Sequence, residues 1–270
     1  MPLYFCLMKK STWPLLSLLF FLFISCNNSG SDSGPVSPQN TVPVSTPSII
    51  STLPHDTSSF TEGLEFYDST LIESTGNYGP SKLLQLQPKT GKILKEVKLG
   101  QKYFGEGITV LHDTLYQLTW KESVVFVYDA KTFKKIKELP FKGEGWGMTN
   151  DGKNIIVSNG SSSLYYYEPG TFKLIKEVSV SENGSAVPNI NELEFVDGYI
   201  YSNQWQYDYI VKIDPASGNV IAKLDLSGIT DSVKKMDTNA DVLNGIAYNR
   251  ATKKFYVTGK HWPQIFEIQF

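Results

Sequence analysis

The sequence predicts an all-β protein: a five-bladed β-propeller whose ring is closed by an N-terminal strand that completes the last blade. Three observations predict it. Short alternating runs bounded by turn signals recur along the chain, and no stretch beyond the N-terminal leader keeps a helical period. A tight-turn motif repeats as "QPKTGK" at 87–92, "DAKTFK" at 129–134, "EPGTFK" at 168–173 and "DPASGN" at 214–219. A second landmark opens each unit: "TEGLEF" at 61, "GEGITV" at 105, "GEGWGM" at 143, "NELEF" at 191 and "NGIAY" at 244. The starts lie about 38–52 residues apart, the spacing of four-stranded propeller blades.

Residues 1–25, within "MPLYFCLMKKSTWPLLSLLFFLFISCNNSG", read as a secretion signal, with Lys9 and Lys10 as its positive region and 15–24 as its apolar run. That run is shorter than the about 20 residues a membrane-spanning helix needs. Small Ser25 followed by Cys26 resembles a bacterial lipoprotein cleavage box, with Cys26 the residue to be lipidated. Phe23 stands where such a box usually has Leu, and an ordinary signal with an incidental Cys is the alternative. Residues 26–46, rich in Ser, Asn, Pro and Gly, read as a disordered tether, which favours the anchor. The expected location is therefore the bacterial envelope, exported and lipid-anchored, in the periplasm or on the outer-membrane surface. Cys6 and Cys26 are the only cysteines, so the processed domain holds no disulfide.

Residues 47–270 form the propeller. Each turn motif joins two alternating runs, as "VVFVYD" and "KKIKELPF" flank "DAKTFK". There are five unit starts but four complete outer hairpins, because the last unit stops after its third strand. "PSIISTLPHD" at 47–56 precedes the first start and has no partner of its own. Placed on the outer edge of the last unit, it supplies the missing strand and removes an open edge.

Of the 270 residues, 41% are hydrophobic and 13% aromatic, enough for one good-sized core. The 25 basic and 27 acidic residues nearly cancel, and loss of Lys9 and Lys10 with the leader makes the rest slightly more acidic. Nucleic acid and anionic membrane surfaces are thereby excluded as partners; the only membrane contact expected is the lipid anchor, and a monomer is expected.

In an antiparallel blade the start of the innermost strand lies beside the end of the second strand, on one face of the disc. The innermost starts supply Glu62, Glu106, Trp146 and Asn191; the second-strand ends supply Gly76, Trp120, Asn159, Trp205 and Lys260. Glycines flank Glu106 and Trp146, as expected if the chain bends tightly there. Trp120, Trp146 and Trp205 then face one central mouth, an aromatic cup with charged groups at its axis. Each piece has a plainer use: a tryptophan can pack between blades, a glutamate can cap backbone N–H groups, and Lys260 can be a solvated lysine. Glu62, Glu106, Glu144 and Glu192 cannot all be catalytic. His55, His112 and His261 are scattered and lack zinc spacing, so no metal is expected. No serine sits in a nucleophile elbow, and neither "GEG" nor "GEGWG" precedes a phosphate-loop lysine.

From about residue 55 onward the chain resembles the plant-type glutaminyl-peptide cyclotransferases. The resemblance rests on "FTEGLEF", "ESTGNYGPSKL", "FGEGIT", "LTWK", "VYDAKTF", "EGWGMTNDG", "NELEF", "NQW", "LNGIAYN" and "VTGKHWPQIFEI", in order across all five units. It implies a five-bladed propeller without cofactor, acting on peptides or proteins with N-terminal glutamine. The implied reaction cyclises that residue to pyroglutamate and releases ammonia. By resemblance Glu106 is the proton shuttle, while Lys260 and Asn191 lie near the γ-amide and stabilise the developing oxyanion. Phe60, Phe104, Trp120, Trp146 and Trp205 resemble the walls that hold the side chain folded for attack. Glu62 departs from the plant pattern, which commonly has Gln there, and is expected to contact the substrate amine. Two other classes compete: a non-catalytic propeller presenting its cup to a peptide or glycan, and a calcium-dependent lactonase-type propeller using Glu62, Glu106 and Asn191 as oxygen ligands.

Overall fold

The computed structural model describes residues 41–270, and within them five four-stranded antiparallel blades surround one axis. The first blade runs Thr61–Tyr67, Thr70–Thr75, Lys82–Leu86 and Ile93–Lys98, from axis to rim. The next three begin at Gly105–Leu111, Met148–Asn150 and Ile190–Val196. The last has Leu243–Asn249, Lys254–Gly259 and Gln264–Gln269 from the C-terminus. Its outer strand is Ser48–Pro54, antiparallel to Gln264–Gln269, which is the closure expected from the orphan "PSIISTLPHD".

The core is five seams rather than one centre. Period-two alternation sends successive side chains of a strand to opposite neighbours. In Val124–Asp129, Val125 and Val127 pack toward the third blade with Ile155 and Val157, whereas Phe126 and Tyr128 pack toward the first with Ile72 and Leu83. Outer strands are the least buried, with Ile49, Ile50, Leu174 and Ile175 about half exposed. Lysines interleave these edges, as in Lys92, Lys95 and Lys98, and discourage edge-to-edge pairing.

Besides the short hairpin of Ser181–Glu182 and Ser185–Ala186, two segments differ from the sequence expectation. The one helix among the described residues, Ser227–Met236, links the fourth and fifth blades. Ile229 and Val233, one turn apart, anchor it in the seam between those blades, and Lys234 and Lys235 suit its C-terminal dipole. Ten residues with two apolar anchors are too short a window for a helical period to stand out. The second difference is Val44–Ser45, inside the stretch expected as tether, which pairs in parallel with Lys223 and Leu224 on the fourth blade. The signal segment 1–25, Cys26 and tether residues 26–40 lie outside the described residues.

The closing strand leads into a buried ionic latch. His55 Nε2 lies 3.1 Å from Glu73 Oε1 in the first blade, and Nδ1 lies 2.7 Å from the carbonyl of Trp262 in the last. Both partners accept, so both ring nitrogens donate and His55 is an imidazolium. Burial pulls its pKa down, but the Glu73 charge and these hydrogen bonds outweigh burial and leave it raised.

Candidate active site

The innermost strands open in register irregularities, between Thr61 and Gly63, Gly105 and Ile108, Ile190 and Leu193, and Leu243 and Ile246. Such bulges release a side chain from strict in–out alternation. Glu62, Glu106 and Asn191 sit within them and line one axial cavity of about 320 Å³. Glycine at 107 and 147 answers close approach of neighbouring blades. A Cβ on Gly107 would lie 2.5 Å from Met148 N, and one on Gly147 would strike the Asn191 carbonyl. Neither glycine has positive φ, so inter-blade contact, rather than the tight bend expected from sequence, fixes them.

The nine residues expected to act on or hold the substrate all line this cavity, whereas Gly76 and Asn159 do not. Its walls are Phe60, Phe104, Trp120, Trp146 and Trp205, and its polar groups include Glu62, Glu106, Asn191 and Lys260. Trp146 and Trp205 meet edge-on at 5.8 Å between centroids, and Phe60 meets Phe104 the same way at 6.1 Å. Gly76 matters by being small, since a Cβ there would enter the Phe104 ring. Trp120 is pinned from outside by Glu144, which accepts its indole N–H at 3.2 Å. A cavity this size is at the small end of ligand pockets, roughly 300–1,000 Å³, and suits one folded side chain.

The polar floor is asymmetric. Lys260 Nζ donates to Glu62 Oε1 at 2.7 Å and lies 4.3 Å from the Phe60 ring centroid. Asn244 Nδ2 donates to Glu62 Oε2 at 3.1 Å and to the Thr61 carbonyl at 3.0 Å. Glu106 receives no such donor among the described residues, although it is only 5% exposed. Burial pushes Glu62 up to about 7 despite the opposing pull of Lys260. Glu106 is raised well above the carboxylate range, first by burial and then by the Glu62 charge. The buried Asn191 Oδ1 has no partner within the described residues.

The other singled-out residues separate cleanly. Glu192 is fully buried and accepts from Leu64 N at 3.1 Å and Ile246 N at 2.8 Å, so it ties the first and fifth blades at the axis. Asn159 accepts from Ser161 within its own turn. Trp262 is buried in the seam and donates to the Asp241 carbonyl at 2.8 Å, away from the cavity. Asp241, at the mouth, and Asn244, behind Glu62, were missed by the sequence reading. A signal for Asn244 was present: "NGIAY" puts it at the repeat position of Glu62, Glu106, Trp146 and Asn191. Asp241 precedes that landmark in an irregular segment and has no such mark.

Residues 20–270 match the family model described as glutamine cyclotransferase. A glutaminyl-peptide cyclotransferase of Arabidopsis thaliana is 36% identical over 260 residues, covering 94% of this chain and 81% of the plant protein. The crystal structure of glutaminyl cyclase from Myxococcus xanthus superposes with a TM-score of 0.81 at 35% identity, over 85% of this chain and 98% of that one.

Proposed function

The chain belongs to the glutamine cyclotransferase family, and on that premise we propose that Glu106 moves the proton in its reaction. The activity is glutaminyl-peptide cyclotransfer, an intramolecular acyl transfer on peptides with N-terminal glutamine. The α-nitrogen forms a bond to the γ-carboxamide carbon, the bond from that carbon to NH2 breaks, and ammonia leaves. One proton must travel from the attacking nitrogen to the departing one. A single carboxylate within reach of both takes it as base and returns it as acid. An ordinary Glu is about 3–4 pK units too acidic to compete with an α-amine. The observation that carries the reading is the environment of Glu106: buried, without a hydrogen-bond donor among the described residues, beside a second carboxylate, and therefore raised well above the carboxylate range.

The surrounding groups fit around that step. Lys260 keeps N–H bonds beyond the one given to Glu62, and in this proposal it stabilises, with Asn191, the negative charge on the amide oxygen; both residues line the cavity. The aromatic walls hold the side chain folded so that nitrogen and carbon meet, an orientation effect. A calcium-dependent reading does not suit this donor set. Both oxygens of Glu62 are taken by Lys260 and Asn244, and an ammonium sits where a cation would bind. Ammonia release from Gln-initiated dipeptides is the test. Turnover that withstands a chelator is expected; no ammonia and no pyroglutamate would reject the reading.

We further propose that the protein acts as a monomer anchored to the bacterial envelope through Cys26, with residues 27–40 as spacer. The support is the leader, the Ser25–Cys26 junction and the polar stretch after it. Cys26→Ser should move the protein from the membrane fraction to the soluble fraction in its native host. Wild-type protein found wholly in the soluble fraction would contradict the anchor.

A further inference from the structure

Two carboxylates and one ammonium share the cavity floor, all largely buried: Glu62 is 3% exposed, Glu106 5% and Lys260 7%. With every group ionised the floor carries a net negative charge in a poor dielectric, and one added proton relieves it. The hydrogen bonds decide where that proton sits. Glu62 accepts from Lys260 on one oxygen and from Asn244 on the other, which is the environment of an anion. Glu106 accepts from neither. We propose that Glu62 is a positioning residue for the cyclisation: it anchors Lys260 and, as the fixed anion of the pair, assigns the exchangeable proton to Glu106. This inference rests on Glu106 being the shuttle.

Several other titratable groups face the pair. Glu122, Glu144 and Tyr78 face Glu106, and Asp241 faces Glu62. Glu144 and Asp241 are exposed and Glu122 half-exposed, so solvent screens them more than it screens Glu62 and Lys260. Replacing Glu62 by Gln keeps an acceptor for Lys260 but removes the anion. Glu106 then loses a repelling charge and has the attraction of Lys260 no longer shared with Glu62. Both changes weaken its hold on a proton. In the substrate complex the acid limb of kcat is set by protonation of Glu106, so that limb moves to lower pH.

The experiment is the pH profile of kcat for wild type, Glu62→Gln, Glu62→Asp and Lys260→Gln, with Glu106→Gln alongside. The acid limb of Glu62→Gln should fall by about one pH unit. Glu62→Asp, which keeps the charge, should hold the limb near its wild-type position. Lys260→Gln should move the limb the other way, to higher pH, and serves if Glu62→Gln does not fold. A limb that stays in place in both neutralised variants would overturn the inference and leave Glu62 a structural group. A fully active Glu106→Gln would instead show that the shuttle reading itself had failed.

Discussion

A chain that begins at Ser58 should melt about 10 °C or more below the intact protein, or precipitate. The deletion removes Ser48–Pro54, whose own side chains are mostly exposed; only Leu53 is buried, in the seam between the last and first blades. Burial of that one side chain is worth about 2 kcal/mol. The larger losses lie in what the strand covers and carries. Gln264–Gln269 becomes an open edge, with its backbone groups and the flanks of Ile265 and Ile268 newly wetted. His55 goes too, leaving Glu73 buried without its imidazolium, a type of loss that costs about 3–5 kcal/mol. At about 2–4 °C per kcal/mol for a domain of this size, the sum gives the stated fall. Thermal unfolding of both chains at equal concentration measures it. Superimposable melting curves would mean that the ring is held by something other than this strand.

The features legible in the sequence were those that repeat. Blade number, closure and seven of the cavity-lining residues follow from one register: Glu62, Glu106, Trp146 and Asn191 at one position, Trp120, Trp205 and Lys260 at another; Phe60 and Phe104 are marked only by the family resemblance, and Asp241 by neither. A repeat position converts into a place in space because every blade is the same object turned about the axis. Features that belong to one blade alone, or to a contact between blades, were not legible. The helix Ser227–Met236 is a single insertion with two anchors, and Val44–Ser45 pairs with an edge that no repeat describes. The Lys260–Glu62 contact joins residues 198 apart in the chain, and periodicity cannot show which of several polar groups at an axis will pair. The glycines were located correctly but for another reason, because inter-blade distance leaves no trace in local composition.

Glu106→Gln should lower turnover by about 10²–10⁴-fold, the scale for losing a general acid–base group. The substitution is nearly isosteric, and among the described residues no hydrogen bond to the Glu106 carboxyl is lost. The cup formed by Phe60, Phe104, Trp120, Trp146 and Trp205 stays intact, so substrate should still bind. What disappears is the basicity that burial and Glu62 confer, and with it the path for the proton between the two nitrogens. A purely structural glutamate would give the opposite pattern: altered melting with turnover retained. Ammonia release at saturating Gln-initiated dipeptide, compared between wild type and Glu106→Gln of equal Tm, is the most direct measurement. A fall of at least about 100-fold with KM within a few-fold is predicted; turnover near wild type would contradict the shuttle.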